Sequence, residues 1–211
     1  MSESIEMSSN LLSEPYALSA AQISEYRESG AVRLPGMLDA GTLDGVRETI
    51  RRLTLEGARA TVPLEERDTY GRAFTQVFNL WRRDAAARAF ALSSRLARVA
   101  TELMGCAGVR MYHDQALFKE AGGGHTPWHC DQFYWPVDTD NTITAWIPLQ
   151  ATSLRMGPLA FARGSHKMTQ GRDLQISDHS EATLSRLLVD FVDDEQRKRL
   201  LVVDKINQQS A

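Results

Sequence analysis

The chain changes character at Gly105, and that change constrains its fold more than any other feature. Before Gly105, apolar residues recur at helical spacing between cap signals. Ser19 reads as the N-cap of a helix running to about Ser29, with Ile23 and Tyr26 inward and Gly30 as the stop. A second helix follows Asp39, carrying Leu43, Val46, Ile50 and Leu53 on one face and ending at Gly57. Residues 58–72 hold Pro63 and Gly71 and read as loop, and Phe74 to Trp81 is aromatic and ambiguous. Asp84 starts an alanine-rich helix, which Ser93 or Ser94 restarts toward Met104.

Beyond Gly105 the period shortens. Val109 to Lys119 reads as a strand with Val109, Met111, His113, Gln115, Leu117 and Lys119 on one face. Ile143 to Leu149 and Leu159 to Ala162 read as further strands, as does the short stretch Ala31 to Leu34. Leu184, Leu187, Leu188 and Phe191 return to helical spacing, with Asp178 or Ser180 as candidate N-cap. A charged run over 193–199 and a polar tail follow. Helices first and strands second predict an α+β layout with an antiparallel sheet.

A chain of 211 residues is long enough to bury one core, so residues 19–211 are expected to form a single domain behind a flexible polar arm over 1–18. The net charge of −3 gives no general attraction to nucleic acid or to anionic membranes. No apolar run has the length of a membrane span. The Ser/Glu-rich start lacks the basic and apolar segments of an export signal, and Cys106 and Cys130 make a poor disulfide framework. A reducing cytoplasm is therefore the expected compartment.

The chemistry is concentrated at Trp128-His129-Cys130-Asp131, after the turn Gly122-Gly123-Gly124 and before Phe133-Tyr134-Trp135-Pro136. On an extended backbone, residues i and i+2 point to the same side. His129 and Asp131 can then converge on one metal ion while Cys130 points away. A histidine with a carboxylate supplies two members of the 2-His-1-carboxylate triad that holds non-haem Fe(II). The spacing alone is weak evidence, because five His and fourteen Asp give about 0.3 such pairs by chance. Its aromatic surroundings, the wall that small-molecule pockets use, raise its weight. His179-Ser180-Glu181 has a similar form but opens a helical pattern, where i and i+2 diverge, so it reads as surface. His113 and His125 read as structural histidines or active-site donors, and His166 as a packing or capping residue in a turn. The chain has no Gly-x-Ser-x-Gly elbow and no nucleotide-binding glycine motif.

Several blocks in order resemble the phytanoyl-CoA dioxygenase (PhyH-like) family of Fe(II)/2-oxoglutarate oxygenases. They are Phe78-Asn79-Leu80-Trp81, Asp114 to Lys119, Thr126 to Asp131, Phe133 to Pro136, Thr144 to Leu149, and Gly157-Pro158-Leu159 with Gly164-Ser165-His166-Lys167. The resemblance runs from about residue 18 to about residue 190. It implies a double-stranded β-helix (jelly roll, cupin-like) with N-terminal helices packed on the sheet. It implies Fe(II) on His129 and Asp131, with 2-oxoglutarate as co-substrate against Gln115, Trp146 and Lys119. Tyr134 and Trp135 would line the substrate pocket. The retained Asp131 points to hydroxylation over halogenation, which needs that position on iron vacated. The family's second metal-binding histidine and its 2-oxoglutarate arginine lie on late strands, and no histidine follows His179 here. The sequence thus resembles a member lacking those strands.

Three readings follow. The first is a dioxygenase acting on a small-molecule metabolite. The second is an impaired or truncated relative that binds a ligand or partner. The third is a metal-dependent enzyme of another class, such as a zinc hydrolase using His129 and Asp131.

Overall fold

A computed structural model describes residues 11–58 and 62–188. The charged run over 193–199, the polar tail and the first ten residues of the expected arm lie outside them. In chain order the elements are α1 (Ala20–Ser29), α2 (Ala40–Ala58), α3 (Thr69–Ala73), β1 (Thr75–Phe78), α4 (Ala85–Ala91), α5 (Ser94–Met104), β2 (Gln115–Phe118) and α6 (Asp178–Leu187). This is a mixed helix-and-sheet architecture, but not helices first and strands second: β1 precedes α4 and α5, and among the described residues β2 is the only strand after Gly105.

The helix ends follow local chemistry. Ser19 and Gln22 form a reciprocal capping box on α1, and Gly30 closes it at φ 80°. Asp39 accepts the Thr42 amide at the start of α2, Asp84 caps α4, and Ser93 caps α5, which Gly105 ends in the left-handed region. Gly57, expected as a stop, lies inside α2. A Cβ there would sit 2.9 Å from a Val77 methyl, so the glycine lets α2 approach β1 closely. The stretch 58–72, read as loop, holds a 3-10 turn at Leu64–Glu66 and the short helix α3. Asp68 starts α3 by accepting the Gly71 amide at 2.7 Å.

The sheet is smaller than expected. β1 and β2 pair antiparallel, with Val77 opposite Ala116 and Phe78 opposite Gln115. Among the described residues this is the only ladder. The strand expected over 109–119 shrinks to Gln115–Phe118. The stretches 31–34, 143–149 and 159–162 form no strand. Alternating side chains can pack without a ladder, and a strand exists only where a neighbour takes its N–H and C=O groups. Here the segments are held otherwise. Val32, Leu34 and Ile143 pack on a cluster with Met37, Val99 and Leu103, and Arg47 of α2 donates to the Leu149 carbonyl.

One face of the two-stranded sheet is core. Val77 joins Leu53, Leu80 and Ala87, with Ile50 and Ala116 against them. Truncating Leu53 to alanine in such a cluster costs about 2–5 kcal/mol. The other face carries Gln76, Phe78, Gln115 and Leu117, of which Phe78 is 45% and Leu117 40% exposed. Asp114 anchors the entry to β2: its carboxylate accepts the Leu80 and Trp81 amides and its carbonyl accepts that of Asn79.

The C-terminal end of the expected arm is fastened down. Buried Arg95 donates to the carbonyls of Met37 and Glu14 and lies over the Tyr16 ring, while Arg98 donates to Ser13. A third cluster of Ala162, Met168, Leu184 and Leu188 takes in Trp128. Ser177, rather than Asp178 or Ser180, caps α6, and Ser180 is its reciprocal partner. His166 lies against Gly30 with Nε2 3.2 Å from the Arg27 carbonyl, the capping role its turn suggests. No helix among the described residues is long and apolar enough to cross a membrane.

Candidate metal centre

The site is built on the backbone of Trp128. Its N–H donates to the Glu181 carboxylate at 2.7 Å, and its carbonyl oxygen lies 2.9 Å from the fully buried Ser180 hydroxyl. Both side chains come from the first turn of α6. An extended segment without a ladder partner thus has both polar groups satisfied by side chains.

One residue on, His129 is directed by its two ring nitrogens. Nδ1 lies 2.8 Å from the Pro127 carbonyl, an acceptor, so Nδ1 carries the proton. Nε2 faces Asp131 Oδ1 at 3.4 Å. In the neutral ring the Nε2 lone pair and a carboxylate oxygen stand close enough to share one ion. Two cis ligands at ordinary metal distances would stand about 3.0 Å apart, so small adjustments admit an ion. A ligating imidazole normally gives its other N–H to a carbonyl or carboxylate, as His129 does. Burial disfavours the imidazolium, but the bonds to Asp131 and to Pro127 outweigh it and raise the His129 pKa above its ordinary value. The pair therefore holds a proton more tightly than a free imidazole does.

The segment is extended but forms no strand, and the Cys130 Sγ donates to Gln132 Oε1 at 2.9 Å. Burial pushes its thiol pKa up. The chain then turns into a 3-10 helix, Asp131–Tyr134. The donor set suits a divalent transition ion, but it amounts to two protein ligands. Among the described residues no group of three His, Cys, Asp or Glu side chains could hold a metal. His179 is exposed on the first turn of α6, the surface position its helical pattern suggests.

A run of aromatic rings links β1 to the segment just after Asp131. Phe78 of β1 meets His113 at 5.4 Å, His113 meets Tyr112 at 4.7 Å, and Tyr112 meets Trp135 at 6.4 Å. Tyr134 packs edge-on against Phe133, and its hydroxyl accepts the Ile176 amide at 2.8 Å. Of the three residues expected at the co-substrate, Gln115 lies on the open sheet face and accepts from Gln76 at 2.6 Å. Lys119 continues that face, but its ammonium donates to the Ala73 and Gly124 carbonyls at 3.1 and 2.7 Å. Trp146 is 41% exposed on the irregular 143–149 segment.

Tyr70 was not singled out from sequence, yet it belongs here. Its ring stands edge-on to Phe74 at 5.5 Å, and its hydroxyl donates to Gln76 Oε1 at 3.3 Å. Burial raises its pKa, and the nearby Tyr134 and Asp131 charges add to that rise against the lowering by Gln76. Its signal was Asp68, a cap two residues upstream in a stretch read as loop. Ser180 and Glu181 were read as surface, because their partner Trp128 is more than fifty residues away in sequence.

The family model described as phytanoyl-CoA dioxygenase (PhyH) matches residues 26–200. The chain belongs to the PhyH family. Every residue discussed at this site falls within the PhyH match. A curated relative, the probable alpha-ketoglutarate-dependent hypophosphite dioxygenase of Stutzerimonas stutzeri, is 24% identical over 155 residues, 70% of this chain and 54% of the relative. The chain thus spans about half the length of that relative. No solved structure matches it.

Proposed function

We propose that this PhyH-family chain is an Fe(II)/2-oxoglutarate-dependent dioxygenase that hydroxylates a small-molecule metabolite. The observation that carries the reading is the His129 Nε2 to Asp131 Oδ1 approach of 3.4 Å, with Nδ1 committed to the Pro127 carbonyl. The alpha-ketoglutarate-dependent relative supports the same co-substrate.

His129 and Asp131 would hold the iron, which with 2-oxoglutarate and O₂ supplies the oxidising chemistry. The protein's own work is orientation and the exclusion of water. Glu181 and Ser180 fix the Trp128 backbone and hence the direction of His129. Gln115 and Trp146 would flank the co-substrate, with Lys119 offering the ammonium hydrogen not given to Ala73 and Gly124. Tyr134 and Trp135, with Tyr112 against the Trp135 ring, would wall the substrate pocket. On this reading β1, β2 and the segments 143–149 and 159–162 belong to a jelly roll. The exposure of Phe78, Leu117, Trp146, Leu159 and Phe161 suits side chains made for the inside of such a barrel. The free thiols of Cys106 and Cys130 suit a reducing cytoplasm.

The test is optical. Anaerobic addition of Fe(II) and 2-oxoglutarate should give a weak visible charge-transfer band, lost in His129→Ala. No band from the wild-type chain would contradict the proposal. It would favour instead the ligand-binding relative.

A further inference from the structure

Gln115 sits at the end of a chain of hydrogen bonds that gives its amide a direction. The Tyr70 hydroxyl donates to Gln76 Oε1 at 3.3 Å, and Gln76 Nε2 donates to Gln115 Oε1 at 2.6 Å. A phenol that donates to a glutamine must face the carbonyl end of that amide. The NH₂ end of Gln76 is then turned to β2, where it meets an acceptor. The carbonyl of Gln115 is engaged in turn, which leaves its NH₂ group on the side of the amide away from Gln76. An amide is ordinarily as ready to accept as to donate, but here one carbonyl lone pair is already taken and both N–H groups are left to give. Its complement is a ligand rich in acceptors, such as a carboxylate.

The relay is rigidly mounted. Gln76 and Gln115 lie on the same face of the two-stranded sheet, in paired strands. Tyr70 is pinned by the edge of Phe74, and α3 is fastened at both ends. Arg67 and Thr75 both bond the Glu120 carboxylate, at 2.6 and 2.8 Å. Lys119 ties the Ala73 carbonyl to that of Gly124.

We propose that Tyr70 is a positioning residue for recognition of the 2-oxo acid: through Gln76 it holds the Gln115 amide with its N–H groups toward the co-substrate carboxylate. This rests on the reading of Gln115 as a co-substrate contact. Without the phenol, Gln76 can reverse, Gln115 can reverse with it, and a carbonyl then meets the carboxylate.

The experiment is calorimetric titration of 2-oxoglutarate into the full chain loaded with Mn(II), without turnover. Tyr70→Phe should weaken 2-oxoglutarate binding about fivefold, the worth of one directional hydrogen bond, while leaving Mn(II) affinity unchanged. Gln76→Leu should do the same. The double variant should be no weaker than the worse single one, since both changes break one relay. Separate additive losses, or a Tyr70→Phe affinity within twofold of wild type, would overturn the relay and leave the dioxygenase reading standing. A Mn(II)-loaded wild-type chain that binds no 2-oxoglutarate would remove both.

Discussion

The Trp128 amide donates to the Glu181 carboxylate at 2.7 Å, across 53 residues of sequence. With Ser180 at the carbonyl of the same residue, it makes the first turn of α6 the mount of the His129–Asp131 pair. A charge-assisted bond to an otherwise unpartnered amide on an irregular segment is costly to lose. Glu181→Ala should destabilise the fold by about 1–3 kcal/mol. For a chain of this size that lowers Tm by roughly 2–4 °C per kcal/mol, measurable by calorimetry. Metal affinity should fall with it, since His129 loses its direction.

Gly123 is the position where the glycine turn cannot accept a side chain. A Cβ there would meet the Arg72 carbonyl at 2.8 Å and the Glu120 carbonyl at 3.0 Å, and both are backbone. Gly123→Ala should therefore cost about 1–3 kcal/mol, as overpacking does. Gly108→Ala, with open space around its Cβ, should cost far less. Chemical denaturation of the two variants compares them directly.

The pH dependence of the metal-free chain follows from His129. Its folded pKa lies above the ordinary 6.5, because the bonds to Asp131 and Pro127 outweigh burial. A raised folded pKa contributes stability that is fully present below the unfolded pKa and is lost as pH rises through the folded one. Asp131→Asn removes the main raising group. The Tm difference between wild type and Asp131→Asn should thus be larger at pH 6 than at pH 9. Metal uptake runs the opposite way, because a metal must displace the Nε2 proton. Apparent affinity should fall as pH drops through the raised value, which potentiometric titration would show.

What was legible in the sequence was local. Ser19 with Gln22, Asp84 and Ser93 mark helix starts because a cap and its target amides lie within three residues. The His129–Asp131 convergence was legible for the same reason, since i and i+2 share a side on any extended backbone. Strands were over-read because Ile143 to Leu149 alternates as a strand does, while a ladder also requires a distant partner. Gly57 was misread as a stop because its role depends on Val77, a residue of another element. Tyr70 and Glu181 were missed because their partners Gln76 and Trp128 become neighbours only through the fold. Lys119 fell on the expected face, yet its bond to Ala73, 46 residues away, could not be anticipated.

The central claim is that His129 and Asp131 jointly hold one divalent metal ion. Titration of the full chain with Mn(II), followed by the loss of the free-ion electron paramagnetic resonance signal, tests it most directly. The proposal predicts one site per chain, weakened about tenfold or more in both His129→Ala and Asp131→Ala and unchanged in Cys130→Ser. Equal Mn(II) binding by wild type, His129→Ala and Asp131→Ala would contradict it.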